Sequence, residues 1–142
     1  MKRRDFIQLS ASGLAVSLVS PARVNAETAK LPADTADIYY TKESTGRWAS
    51  KAATHLPSIE VSKSNGKIML KVVTPHEMKG YEHYIVKHVL LDKSYKFLAE
   101  KMFNPMEDKT PVSEFTLDNY TGTLYALSMC NKHDLWLSTT EV

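Results

Sequence analysis

Cysteine is the scarcest of the reactive residues in this chain of 142 residues, which contains only Cys130. One thiol cannot form a disulfide within the chain, and it is too few for an iron or zinc centre built on four thiolates. A lone thiol in an exported protein is either buried, linked to a second chain or bound to a ligand. The surroundings of Cys130 are therefore informative.

Several catalytic patterns are also missing from the sequence. It has no serine-histidine-acid arrangement, no glycine-rich phosphate loop and no paired catalytic carboxylates. It has no internal repeat and no low-complexity tract, and no window shows a convincing helical stripe. The length is enough for one domain, and the contents of 43% hydrophobic and 24% charged residues are ordinary for a soluble globular protein.

The chain carries no strong excess of charge of either sign. Its formal net charge is +2, but residues 1–26 hold four of the 18 basic side chains and one of the 16 acidic ones. The remainder has 14 basic and 15 acidic side chains, a net charge of −1. A nearly neutral body gives no electrostatic reason to expect nucleic acid or an anionic membrane as a partner.

The N-terminal residues 1–26 have the pattern of an export signal. A basic head at 1–4 precedes a moderately apolar, serine-containing stretch at 6–19 and a small-x-Ala cleavage site at 24–26. Residues 3–7 resemble the twin-arginine export motif. We expect a periplasmic protein that does not contact the membrane after signal cleavage, with an ordinary secretory signal or an uncleaved anchor as the alternatives.

Residues 27–50 are rich in Ala, Thr, Asp and Lys and show little periodicity. We interpret them as an extended N-terminal arm that lies against the domain through Tyr39, Tyr40 and Trp48.

From residue 51 to 142 the pattern is that of short strands separated by turn signals. The tetrapeptide Ser64-Asn65-Gly66-Lys67 is a strong hairpin turn. Seven short strands in such a chain predict an all-β, antiparallel β-sandwich. The predicted strands cover residues 58–62, 68–73, 83–92, 95–102, 111–117, 123–130 and 135–140.

Cys130 and His133 are separated by two residues, so a thiolate and an imidazole can reach one metal ion across a tight turn. Three further histidines, His55, His76 and His83, fall at predicted strand ends or in loops. Because the loops at one end of a sandwich converge, distant ligands can meet there. Imidazole with thiolate suits iron, copper or zinc, and not magnesium or calcium.

The fifth histidine, His88, serves as a control. It lies five residues after His83 on the same predicted strand, and side chains alternate along a strand. The odd separation sends the two side chains to opposite faces. We predict that His88 is not a ligand.

Three segments of the chain, spread over residues 50–142, resemble the iron domain of superoxide reductases, the neelaredoxin and desulfoferrodoxin family. The last segment is the most specific. The segments read Thr54-His55-Leu56-Pro57, then Pro75-His76-Glu77-Met78 through Glu82-His83-Tyr84-Ile85, and finally Cys130-Asn131-Lys132-His133-Asp134-Leu135-Trp136. Without a four-cysteine set, the resemblance is to an exported form of the one-iron class.

The resemblance implies an immunoglobulin-like β-sandwich with one iron ion that alternates between Fe(II) and Fe(III). His55, His76, His83 and His133 would surround the iron in a plane, and Cys130 would be the axial ligand that directs electron density toward the open opposite position. The implied activity is reduction of superoxide to hydrogen peroxide, with an outside electron donor protein. A homo-oligomer is compatible with it.

The chain departs from the family in the residues before the first histidine. The family commonly has Glu-Lys there, and this chain has Ala53-Thr54. The family lysine helps to attract superoxide and to supply protons. We therefore consider Lys51 and Lys132 as catalytic substitutes on the basis of their proximity in sequence.

Two further departures concern charge and spacing. Glu77 stands in place of a family proline and Asp134 in place of a family glycine, and we expect both to add negative charge near the site. The separation of His76 and His83 is one residue longer than usual, which a loop insertion around Gly80 can absorb.

Three alternatives remain open from the sequence. The first is a non-catalytic redox or electron-transfer iron protein of the same fold, which the missing Glu-Lys pair supports. The second is a blue-copper-like carrier, although the expected methionine after His133 is absent. The third is a structural zinc site or a plain binding module with incidental histidines.

Overall fold

A computed structural model describes residues 37–142. The predicted export signal and residues 27–36 of the predicted arm lie outside the described residues. The described part consists mainly of β-strands, with three very short helical segments. The elements in chain order are a 3₁₀-helix Gly46–Lys51, α1 Ala52–His55, β1 Ser58–Ser64, β2 Lys67–Val73, a 3₁₀-helix Gly80–Glu82, β3 Ile85–Leu91, β4 Phe97–Met102, β5 Val112–Asp118, β6 Thr123–Cys130 and β7 Asp134–Glu141.

The strands form two antiparallel sheets, one in the order β1-β2-β5 and one in the order β4-β3-β6-β7. This confirms the predicted all-β sandwich of seven strands. If the strands are lettered A to G, the sheets are ABE and DCFG. The constant-type immunoglobulin domain has ABED and CFG, so the difference is that the fourth strand pairs with the third.

The core lies between the two sheets and follows from alternation along the strands. In β2 the inward residues Ile68, Leu70 and Val72 are buried, while Met69 and Lys71 between them are exposed. In β6 every second residue from Leu124 onward is buried in the same way. Each of these larger aliphatic side chains contributes about 2 kcal/mol through removal of its apolar surface from water.

The β1–β2 hairpin shows how local sequence sets the register. Asn65 and Gly66 both have positive φ, 49° and 75°, which is the conformation of a two-residue type I′ turn. Ser64 pairs with Lys67 across the turn. The predicted hairpin turn is confirmed.

The helical segments before β1 correct the expected extended arm. Residues 46–51 form a 3₁₀-helix, so the expectation is wrong for this part of the arm. A helix of one or two turns is too short to produce a periodic apolar pattern. Earlier in the arm, Tyr40 is fully buried and its backbone pairs with Leu135 and Leu137 of β7 at 2.8 Å.

The strand ends that carry the candidate ligands lie at one end of the sandwich. In the antiparallel pairs, the start of β1 lies opposite the end of β2, and the end of β6 lies opposite the starts of β3 and β7. His83 precedes β3, which begins at Ile85 and not at His83 as predicted. No helix within residues 37–142 is long and apolar enough to span a membrane.

Candidate metal centre

The structure brings together all five side chains that the sequence nominated as ligands. One nitrogen from each of His55, His76, His83 and His133 and the sulfur of Cys130 all lie within 4.8 Å of one another. His55, His76 and Cys130 are buried, and His83 and His133 are partly exposed. The cluster is therefore closed on its protein side and reachable from solvent at His83 and His133.

The four imidazoles are arranged as the corners of a ring. His133 Nδ1 lies 3.0 Å from His55 Nε2 and 3.1 Å from His83 Nε2, and His83 Nε2 lies 3.1 Å from His76 Nε2. The ring centroids of His55 and His83 are 6.1 Å apart, whereas neighbouring rings are 4.5 to 4.9 Å apart. His55 therefore faces His83 across the ring, and His76 faces His133.

These separations match those of ligands around one ion. Two nitrogens bound at right angles at about 2.0–2.1 Å lie about 3 Å apart. Cys130 Sγ lies 3.8 Å from His76 Nε2 and 3.6 Å from His133 Nδ1. Because those two nitrogens occupy opposite corners, a sulfur about equally distant from both lies on one face of the plane.

The chemistry of the nitrogens also fits a cation. The Nδ1–H of His55 points at the backbone oxygen of Lys51, 3.0 Å away, which leaves the lone pair of Nε2 aimed at the centre of the cluster. A ring of imidazole nitrogens that face one another cannot satisfy all of its lone pairs with its own N–H groups. A metal ion at the centre would satisfy them together.

Burial keeps these imidazoles neutral. It lowers the pKa of His55 to about 4, and it lowers the pKa values of His76, His83 and His133 as well. Burial also raises the pKa of the Cys130 thiol. A bound metal would deprotonate the thiol, so the loaded site would contain four neutral ligands and one anionic ligand.

The short helix α1 positions His55. It follows the 3₁₀-helix directly, and the Leu56 N–H donates to the Ala52 carbonyl at 3.1 Å, which closes its single turn. The helix ends at Leu56, whose extended backbone leads through Pro57 into β1. His55 is thus held at the junction between a helix and a strand.

Asn131 connects the turn at Cys130 to the loop that carries His83 through side-chain hydrogen bonds. Its Nδ2 donates to the carbonyls of Tyr81 and Glu82 at 3.3 and 3.0 Å, and its Oδ1 accepts from the Tyr84 N–H at 3.0 Å. Sequence reasoning quoted Asn131 only as part of a motif and assigned it no role. Its position beside Cys130 in that motif is the signal that could have indicated one.

Two tryptophans support His133. Trp136 Nε1 donates to the His133 carbonyl at 2.9 Å. The ring of Trp48 meets the His133 ring edge-on, with centroids 4.7 Å apart. The backbone and the imidazole of His133 are therefore each held by a separate aromatic residue.

The expected excess of negative charge near the site is offset by pairing. Asp134 lies 2.6 Å from Arg47 Nη2, and its hydrogen bonds with Trp48 and Arg47 hold the pKa of its carboxyl below the usual value. Glu77 pairs with Lys79 at 2.8 Å. Because each carboxylate has a cationic partner, neither adds an unpaired negative charge near the site.

Lys51 and Lys132, the lysines considered as catalytic substitutes, lie within electrostatic reach of the exposed side of the cluster. After burial and neighbouring imidazoles, their positive charges are among the causes that lower the pKa values of His83 and His133. Lys132 Nζ is 4.0 Å from Glu82 Oε1. Among the described residues, Lys51 forms no salt bridge.

His88 lies outside the cluster. Its Nε2 is 2.8 Å from Thr74 Oγ1 and its Nδ1 is 2.7 Å from Ser113 Oγ, so both ring nitrogens already have hydroxyl partners. The prediction that His88 is not a ligand agrees with this placement. The stated reason was wrong, because His83 precedes β3 and the two histidines do not share a strand.

Comparisons with known proteins give a consistent picture. A superoxide reductase (neelaredoxin) from Ignicoccus hospitalis, 28% identical, has a TM-score of 0.62 over 77% of this chain and 97% of its own. A variant of it is 30% identical, with a TM-score of 0.65 over 77% and 96%. A variant of the Archaeoglobus fulgidus superoxide reductase (neelaredoxin) in the reduced form is 25% identical, with a TM-score of 0.55 over 65% and 92%.

No curated protein sequence matches the chain. The profile of the desulfoferrodoxin family, in contrast, matches residues 47–139, which includes all five clustered side chains. With the two-sheet fold and the four-histidine, one-cysteine metal-binding group, this match shows that the chain belongs to the desulfoferrodoxin family.

Proposed function

We propose that this protein is a superoxide reductase that holds one iron ion with His55, His76, His83, His133 and Cys130. The observation that carries the proposal is the convergence of four imidazole nitrogens and one sulfur within 4.8 Å. The four imidazole nitrogens and the sulfur on one face of their ring would hold the ion, and a small substrate would approach from the opposite face. The names of the most similar solved structures support the same reaction.

When bound, a ferrous ion would supply the electron that, with two protons, converts superoxide to hydrogen peroxide, and an electron donor protein would return the electron. The ligand residues set the charge for this step. Four neutral imidazoles and one thiolate leave a ferrous site with a net charge of +1, which attracts an anion. The Lys132 N–H, 3.5 Å from Cys130 Sγ, withdraws some of the electron density that the thiolate provides.

In this proposal Lys51 and Lys132 attract superoxide and supply protons in place of the missing family lysine. Their charges already act on His83 and His133, the exposed members of the cluster. We expect Lys51→Ala to lower the second-order rate with superoxide several-fold at low salt, and Lys132→Ala to lower it less, because Glu82 offsets part of its charge. Lys63→Ala, in the exposed end of β1, is the matched control. If neither Lys51→Ala nor Lys132→Ala changes the rate with superoxide, both lysines are removed from the proposal.

The decisive experiment mixes the reduced, iron-loaded protein with superoxide and follows the oxidised thiolate spectrum together with hydrogen peroxide. We expect one peroxide per iron oxidised and no release of dioxygen. Stable ferrous protein in the presence of superoxide would contradict the proposal. Cys130→Ser should lose the thiolate band, which distinguishes the site from adventitious iron.

A second candidate function is electron transfer without superoxide chemistry. It is favoured by Ala53 and Thr54, which are exposed and uncharged where the resembled family commonly has Glu-Lys. The Thr54 hydroxyl is within bonding distance of the Lys51 carbonyl and His55 Nδ1, at 3.2 and 2.9 Å. A protein that exchanges electrons quickly with a redox partner but reacts with superoxide no faster than free iron would favour this function.

The location and assembly of the protein are part of the proposal. We propose export to the periplasm, supported by the sequence pattern of residues 1–26. Cell fractionation with Arg3→Lys and Arg4→Lys together would test the twin-arginine route, since that double change should leave the precursor in the cytoplasm. Size-exclusion chromatography with light scattering would test the homo-oligomer.

A further inference from the structure

Asp134 has a backbone conformation that is uncommon for a residue other than glycine. Its φ is +61°, in the left-handed region where a side chain is strained and glycine is not. It stands where the resembled family has glycine. Aspartate adopts this conformation more readily than most residues, so the contacts of its side chain decide what it contributes here.

The carboxylate of Asp134 accepts hydrogen bonds from three residues of the N-terminal arm. Arg47 Nη2, Trp48 Nε1 and the Tyr40 hydroxyl lie 2.6, 2.8 and 3.3 Å from the same oxygen, Oδ2. Arg47 Nε also donates to the Tyr40 hydroxyl at 3.2 Å. We call these four residues the Asp134 clasp. A glycine at position 134 would make none of the bonds to Oδ2.

The Asp134 clasp touches one candidate ligand directly and a second through the short helix. Asp134 follows His133 in the chain, and Trp48 packs edge-on against the His133 ring. Trp48 lies at a kink within the 3₁₀-helical segment Gly46–Lys51. The Lys51 carbonyl at the end of that segment accepts a hydrogen bond from His55 Nδ1. His55 and His133 are neighbours in the nitrogen ring, 3.0 Å apart.

We propose that Asp134 is a positioning residue that, through Trp48 and the 3₁₀-helix, fixes the relative orientation of His55 and His133 in the metal centre. The exposed ion pair with Arg47 adds little by itself, because both side chains are well solvated. The indole N–H bond and the packing of the indole on His133 carry the effect.

The rival explanation is that Asp134 only stabilises the fold or adjusts the local charge. Four changes separate the two. Asp134→Gly removes the clasp and relieves the positive φ, Asp134→Asn keeps an acceptor for the indole and removes the charge, and Trp48→Phe keeps the aromatic contact and removes the indole N–H. Asn65→Gly is the matched control, because Asn65 also has a positive φ of 49° and lies in the β1–β2 turn, away from the site.

The probe is Co²⁺ added to the purified full chain. Its affinity is measured by competition with a chelator and its visible ligand-field bands report the ligand geometry. Hydrogen–deuterium exchange of the Trp48 indole N–H, followed by NMR, reports the clasp itself. None of these readouts depends on superoxide. The role of Asp134 can therefore be disproved while the proposed function stands, and the proposed function can be disproved while the role of Asp134 stands.

We expect Asp134→Gly to weaken Co²⁺ binding about tenfold, to shift the ligand-field bands and to accelerate indole exchange. Asp134→Asn should retain most of the affinity, and Asn65→Gly should match the unaltered protein. Unchanged affinity and bands in Asp134→Gly would overturn the proposal, even with a change in thermal stability. Should Asp134→Gly fail to fold, Trp48→Phe carries the test: shifted bands support the proposal and unchanged bands overturn it.

Discussion

Two histidine-containing groups in this molecule differ in what their imidazole nitrogens face. In the first, His88 is fully buried, and its nitrogens face the hydroxyls of Thr74 and Ser113 at 2.8 and 2.7 Å. Thr74 in turn bonds Ser128 at 2.8 Å. This hydroxyl network joins the two sheets and satisfies its own hydrogen bonds. In the second group, the metal cluster, imidazole nitrogens face one another.

The comparison teaches that burial and a low pKa do not identify a metal ligand. Burial lowers the pKa values of both His88 and His55 to about 4. What separates them is the identity of the partner atoms. His88 has a hydroxyl for each nitrogen, whereas His55 Nε2 points at the nitrogen of His133. The predictions below test this distinction from its largest expected effect to its smallest.

Removal of a ligand should have the largest effect. We expect His76→Ala to abolish stoichiometric metal binding, because it opens one corner of the nitrogen ring, while the core between the sheets is unaffected. Metal analysis of the purified variant after dialysis against iron checks this. His88→Gln, which offers one donor and one acceptor to the same hydroxyls, is the matched histidine control and should still bind one ion per chain.

Loss of the hydroxyl network should affect stability and not metal binding. We expect His88→Ala to lower the free energy of unfolding by about 3 kcal/mol, because it leaves a cavity and strands buried hydroxyls. Urea denaturation of the metal-free protein measures this. If His88→Ala had the free energy of unfolding of the original protein but no longer bound metal, the roles assigned to the two groups would be reversed.

The pH dependence of stability should also depend on His88. Its folded pKa of about 4 lies below the unfolded value of 6.5, so the unfolded state binds protons first as the pH falls. The resulting loss of stability begins near pH 6.5 and continues toward pH 4, reaching about 3 kcal/mol for this one group. His88→Gln should remove this part of the pH slope from metal-free protein. An identical slope in both proteins would contradict the buried, neutral state of His88.

Asn131 should influence the metal centre without touching the metal. Its three bonds hold the His83 loop against the Cys130 turn. We expect Asn131→Ala to weaken metal affinity about tenfold, as for other groups that orient ligands. Chelator competition measures the change. Thr121→Ala, in the exposed turn before β6, provides a surface control.

The smallest effect is expected for Glu77. Its ion pair with Lys79 is exposed on both sides, and such solvated pairs contribute little to stability. Glu77→Gln should therefore leave thermal stability nearly unchanged, which differential scanning calorimetry can check. A large loss of stability or metal would mean that the loop around His76 depends on this pair.

The sequence predicted the strands well because their signals are local. Alternating burial and turns such as Asn65-Gly66 repeat over short distances, and all seven predicted strands are present. Two strands, β3 and β4, begin two residues later than predicted. β3 follows the 3₁₀-helix Gly80–Glu82, which is too short to leave a pattern. The 3₁₀-helix before α1 is also too short to leave a pattern, so the sequence does not distinguish it from an extended segment.

The five clustered residues could be predicted from the sequence because they lie in three recognisable segments. The residues that hold them in place could not be predicted in this way. The clasp joins Asp134 to Arg47, 87 residues earlier, and Asn131 reaches Glu82 across 49 residues. Such contacts depend on the packing of separate loops and leave no periodic trace. From the sequence alone, Asp134 is therefore visible only as an added negative charge.

Iron analysis of the purified protein, combined with its visible spectrum after oxidation, tests the central claim most directly. We expect one iron per chain and a thiolate-to-iron band that is absent in Cys130→Ser and retained in His88→Gln. A protein that binds no stoichiometric iron, or a band that persists without Cys130, would contradict it.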